Sequence, residues 1–105
     1  MSYAYVSIKE DVLKKLEANL LEIRERFGIE RIGIFGSVAR GDDTPDSDVD
    51  ILISFKEGQV IFANLVSLGD YLEELFGRSV DVLTEDGISK YMRPYIEPEV
   101  IPIEA

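Results

Sequence analysis

Ile32-Gly33-Ile34-Phe35-Gly36-Ser37-Val38-Ala39-Arg40-Gly41-Asp42-Asp43-Thr44-Pro45-Asp46-Ser47-Asp48-Val49-Asp50-Ile51-Leu52-Ile53-Ser54-Phe55 decides how this chain folds. An apolar run ends in Gly36-Ser37, a polar loop follows, and a second apolar run begins with two aspartates, Asp48 and Asp50. Strand side chains alternate between faces, so positions 48 and 50 point one way while Val49, Ile51 and Ile53 point the other, toward a core. The loop between the runs is too short for a full helical crossover, so the strands 29–35 and 48–55 are expected as antiparallel or splayed neighbours. Two carboxylates on one face of one strand end repel each other, and they become useful when a divalent cation sits between them.

Outward from this stretch, residues 7–27 read as a helix. Ser7 and Glu10 have capping-box spacing, and apolar residues recur at Leu13, Leu16, Leu20, Ile23 and Phe27. Gly28 supplies a stop, and Arg24 and Arg26 sit where the helix dipole favours cations. The strand 29–35 is nearly all apolar, as a strand covered on both faces should be, and Gly33 within it marks a close approach of backbone or ligand. Residues 36–41 read as a sharp turn into a short helical segment, and 42–46 as loop. A second helix covers 59–76, with Ile61, Leu65, Leu68, Leu72, Leu75 and Phe76 as its stripe and Gly77 as its end. A short strand over 78–83 contains Asp81, and a helix or turn follows over 86–92. Pro94, Pro98 and Pro102 are expected to break up the tail, with a last strand over 99–103 in which Pro102 suits an edge.

The 105 residues are expected to form a single domain spanning 1–105. There is no cysteine and no histidine, which excludes a disulfide, a thiolate or imidazole metal site, a thiol nucleophile and a histidine general base. With 21 acidic and 11 basic side chains the formal charge is −10, a surface that repels duplex nucleic acid and anionic membranes. The N-terminal stretch has no basic and apolar segments of a signal peptide, and no apolar run has the length of a membrane span, so a cytoplasmic location is expected.

Gly36 lets backbone approach a ligand, and Ser37 offers a hydroxyl and exposed N–H groups suited to phosphate oxygens, although a Gly-Ser pair after a strand also makes an ordinary turn. Asp81, between Val80 and Val82, is either an edge-strand carboxylate in water or a third ligand beside Asp48 and Asp50. Three carboxylates suit hard ions such as magnesium or manganese. Two such ions about 3.5–4 Å apart hold the attacking and leaving oxygens of a phosphoryl or nucleotidyl transfer. Asp81 is then placed as base or ligand.

Gly36-Ser37, then Asp48-Val49-Asp50, with Arg40-Gly41 and Ser47 between them, resembles the signature of the DNA polymerase β-like nucleotidyltransferases. More narrowly the chain is similar to the minimal nucleotidyltransferase (MNT) antitoxins paired with HEPN-domain toxins. The resemblance implies an α/β (α+β) fold, a short mixed sheet of about three to four strands backed by helices. It implies Asp48, Asp50 and Asp81 as catalytic metal ligands for two Mg2+ ions, with Mn2+ as a substitute. It implies Gly36 and Ser37 as holders of the β- and γ-phosphates of ATP. Arg40 would orient the loop or touch phosphate, or else form a salt bridge to Asp42, Asp46 or Asp48, and Ser47 would form a turn. The implied reaction moves AMP from ATP to a tyrosine of the HEPN toxin, silencing an RNase. The alternatives are an antitoxin that neutralises by covering its toxin, and a small-molecule nucleotidyltransferase acting as a homo-oligomer. Little chain follows Asp81 to enclose a second substrate, so a docked partner is expected to complete the cleft. Tyr91, Tyr95, Ile96, Val100, Ile101 and Ile103 belong either to that dock or to an edge strand with its packing.

Overall fold

Alternating apolar positions in two neighbouring runs make a sheet with a dry face, and the amphipathic helices on either side supply its cover. The computed structural model describes residues 4–59 and 61–104; the first residues of the stretch read against a signal peptide, and Val60 of the expected second helix, lie outside them. In chain order the elements are α1 (Lys9–Ala18), α2 (Leu20–Phe27), β1 (Ile29–Phe35), α3 (Gly36–Arg40), β2 (Val49–Phe55), α4 (Ile61–Phe76), β3 (Val80–Thr84), α5 (Arg93–Ile96) and β4 (Ile101–Pro102). Tight 3-10 turns occupy Glu85–Gly87 and Glu97–Glu99. The four strands form a mixed sheet in the order β3-β2-β1-β4, so the expected fold class is the one observed. β1 runs antiparallel to β2 and to β4, and β2 runs parallel to β3.

Val49, Ile51 and Ile53 are fully buried on one face, where they meet Val12, Leu16 and Ile23 from α1 and α2 and Leu68 and Leu72 from α4. The other face carries a smaller apolar cluster of Phe35, Leu52, Ile88 and Ile96, with Leu83 and Val100 against it. β1 is therefore covered on both faces, as its composition predicted. The close approach expected at Gly33 is also present: a Cβ there would lie 2.8 Å from Val100 Cγ1 and 2.9 Å from Ile101 O. β4 occupies a sheet edge, where Pro102 costs no ladder hydrogen bond.

Three local expectations are corrected. The helix over 7–27 is two helices joined at Asn19, whose side-chain amide donates to Lys15 O at 2.7 Å. An amide bonding back one turn competes with the backbone ladder and bends the helix. The capping box does not form: Ser7 Oγ accepts from Lys9 N–H at 3.1 Å and its hydroxyl donates to Asp43, which also accepts from Ile8 N–H at 3.2 Å. A buried carboxylate from 35 residues away caps the helix in place of Glu10. In the tail, Pro94 and Pro98 do not break structure but open α5 and the turn Glu97–Glu99, because proline lacks only an N–H that the first turn leaves unpaired anyway.

Candidate active site

Two parallel strands that start level with each other bring the residues near their starts side by side. In β2 and β3 the register pairs Asp50 with Asp81, and partners in a ladder project to the same face. Asp48 lies just before β2 and is close enough to act on Asp50 through its charge. The Asp50 carboxyl is pushed above its ordinary value, first by partial burial and then by Asp81 and Asp48, with Arg40 acting in the opposite sense. On the other side of β2, Asp50 pairs with Phe35 at the end of β1. The acids thus occupy the wet end of the sheet face whose dry end is the Phe35–Leu52 cluster.

Gly36 follows Phe35 with φ +76°, and a Cβ there would run into Asp50 Oδ2. Only glycine lets the turn into α3 pass so close to that carboxylate. Ser37 sits half-buried in the first turn of α3, whose amides have no carbonyl a turn back within the helix. Arg40, at the other end of α3, is ion-paired with Asp42 at 3.2 Å and with Glu99 at 2.9 Å. Of the partners expected for it, Asp42 is found; Glu99, on the turn after α5, is an addition. Ser47 acts as a turn-former, its Oγ accepting from Thr44 N–H at 2.8 Å while its own N–H donates to Thr44 O at 3.0 Å.

A magnesium-type ion asks for oxygen ligands, and three carboxylates with no imidazole or thiol nearby are such a set. Asp50, held partly buried among like charges, is a carboxylate that a nearby cation would relieve. Among the described residues no three acidic side chains are already gathered at metal-ligand spacing. The backbone register brings Asp50 and Asp81 together, and the Asp48 and Asp81 side chains are exposed.

Two residues of this region have no forewarning in the sequence. Asp43 is only 6% exposed and accepts from Tyr5 Oη at 2.6 Å, from the Ser7 hydroxyl and from Ile8 N–H. Burial acts to raise its carboxyl, but the hydrogen bonds from Ser7, Tyr5 and Ile8 outweigh it and hold it below the ordinary range. Arg78 Nη1 donates to Thr44 O and to Ser47 O, each at 3.0 Å. In a loop with several aspartates, nothing local marks Asp43 as the buried one.

The apolar tail divides. Ile96 and Ile103 are buried, Val100 and Ile101 half-buried, and Tyr91 and Tyr95 exposed. At the far end of the sheet a concavity of about 390 Å3 is lined by Arg31, Lys56, Gln59 and Glu85, among others; Arg31 there is committed to Glu85 and Glu30. Among the described residues no helix is long and apolar enough to cross a membrane.

Residues 13–102 match the family model described as nucleotidyltransferase domain. The chain is 38% identical over 92 residues to protein adenylyltransferase MntA of Thermococcus cleftensis, an alignment covering 88% of this chain and 92% of that protein. A solved structure assigned to the minimal nucleotidyltransferases superposes with a TM-score of 0.74 at 36% identity, over 88% of this chain and 93% of the other. A chain from the complex of an MNT antitoxin with the tri-AMPylated HEPN toxin of Shewanella oneidensis superposes with a TM-score of 0.62, over 89% of this chain and 72% of that one. At 14% identity that last likeness is one of fold.

Proposed function

The chain belongs to the nucleotidyltransferase domain family, and from that membership we propose that it is a metal-dependent protein adenylyltransferase, an antitoxin that moves AMP from ATP to a tyrosine of a HEPN-type partner. The observation that carries this reading is the β2–β3 register, which sets Asp50 beside Asp81 with Asp48 near and Gly36 against Asp50. Asp48, Asp50 and Asp81 would hold two magnesium ions, or manganese in their place. When bound, such ions polarise the α-phosphoryl group and lower the pKa of the attacking hydroxyl.

The chain's own residues divide the remaining work. Gly36 and Ser37 offer an unobstructed backbone and a hydroxyl to the β- and γ-phosphates. Arg40, ion-paired between Asp42 and Glu99, orients the turn that carries them. Asp81 stands exposed on an edge strand, where a hydroxyl from a second protein can reach it. In the transfer the acceptor oxygen bonds the α-phosphorus, the bond to the bridging oxygen of pyrophosphate breaks, and Asp81 is placed to take the hydroxyl proton. The surface of net charge −10 suits a basic, RNA-cutting partner.

The relative similar over nearly its whole length is named a protein adenylyltransferase, which favours transfer over simple covering of a toxin. The test is to measure the partner's nuclease activity after incubation with this protein, with and without ATP and Mg2+, followed by removal of the antitoxin. Inhibition that persists and requires ATP supports transfer. Inhibition that vanishes on removal and ignores ATP overturns it in favour of covering.

A further inference from the structure

We propose that Arg78 is a positioning residue: its guanidinium holds the loop before β2 against the lead-in to β3 and so fixes the register that sets Asp50 beside Asp81. The inference rests on the metal-site reading of these acids. Asp48 and Asp50 arrive from one loop and Asp81 from another, and a slip of one residue between the strands would turn Asp81 to the opposite face. Arg78 lies three residues before Asp81, and both carbonyls it binds lie in the loop just before Asp48, at Thr44 and Ser47. Beside it the ladder begins, with Val49 N–H donating to Ser79 O at 2.9 Å.

The same guanidinium reaches a third anchor. Its Nη2 donates to Tyr5 Oη at 3.2 Å, and Tyr5 donates in turn to Asp43. Asp43 also holds Ser7 and Ile8 at the start of α1, so the front of the loop is tied to the helical layer while Arg78 ties its back to β3. Arginine suits this place because its planar fork sends several donors in fixed directions, whereas lysine offers a compact charge on a flexible stem. Among the described residues Arg78 contacts none of the three acids by hydrogen bond, so its effect on them passes through backbone.

The test compares wild type, Arg78→Gln, Arg78→Lys and Arg31→Gln. Arg31 pairs with Glu30 and Glu85 at the far end of the sheet, so its replacement controls for the loss of one positive charge. Mn2+ binding is followed by calorimetry, and hydrogen exchange of the Val49 amide is measured without metal. In Arg78→Gln the half-saturating Mn2+ concentration is expected to rise about tenfold, the scale for losing a group that orients metal ligands. Val49 should exchange faster, Arg78→Lys should fall between, and Arg31→Gln should match wild type. Val49 protection or Mn2+ affinity unchanged in a folded Arg78→Gln protein overturns the proposal, and so does an equal effect from Arg31→Gln. If wild type itself binds no Mn2+, the metal-site reading fails. The clamp is then decided by Val49 alone, supported by faster exchange in Arg78→Gln than in Arg31→Gln and overturned by equal rates. Should Arg78→Gln not fold, Arg78→Lys and Tyr5→Phe carry the same comparison.

Discussion

At the residue scale, two aspartates are driven in opposite directions, and each direction predicts a pH response. The Asp50 carboxyl is raised by burial and by Asp81 and Asp48. As pH climbs through the ordinary carboxylate range, the unfolded chain releases this proton before the folded one, so the folded state binds more protons and stability falls. Asp50→Asn removes that loss. It is expected to melt at a higher temperature than wild type at neutral pH without divalent cation, while AMP transfer is abolished. Asp43 is the reverse case: its lowered value gives stability that is present above the ordinary carboxylate range and lost as pH falls through the lowered value. Asp43→Ala leaves Tyr5, Ser7 and the Ile8 amide without their acceptor and should cost about 1–3 kcal/mol at neutral pH. Urea melts at falling pH should show the gap to wild type closing. The sequence made Asp48, Asp50 and Asp81 legible as candidates because acids inside apolar strands are conspicuous over a few residues. Asp43 and Arg78 were illegible because their partners lie 31 to 73 residues away and only the fold selects them.

At the scale of elements, hydrophobic period and glycine stops placed most boundaries. β1 ends at Phe35 as expected, and Gly28 and Gly77 take the left-handed conformation that follows a helix end. The misplaced features share a cause: a side chain or proline made a choice that local pattern does not encode. Asn19 could equally have faced water, and Pro94 could equally have ended a segment as begun one. Gly33 shows the opposite situation, since a glycine within an apolar strand has few purposes. Val100 and Ile101 fill the space that its side chain would take. Gly33→Val should therefore overpack the β1–β4 contact and destabilise by about 1–3 kcal/mol. The Ile103 amide, bonded to Ile32 O at 2.9 Å, should lose protection from exchange first.

At the scale of the whole molecule, a four-stranded sheet separates a large dry core from a smaller one that leaves its far end wet and acidic. Pairing of β2 with β3 across α4 sets Asp50 beside Asp81, and it was not legible as a pairing because no turn joins the two strands directly. If Asp48, Asp50 and Asp81 hold a divalent cation as proposed, a chain of net charge −10 should be stabilised by it. Mg2+ at a hundred times its dissociation constant is expected to add about 2.7 kcal/mol to wild type. It should add little to Asp50→Asn, as thermal melts with and without the ion will show. The most direct measurement is intact-mass spectrometry of the protein encoded beside this one, incubated with ATP, Mg2+ and either wild type or the Asp48→Asn/Asp50→Asn double variant. Whole-number additions of AMP are expected with wild type and none with the variant. An unmodified partner with wild type, or an AMP adduct made by the variant, would contradict it.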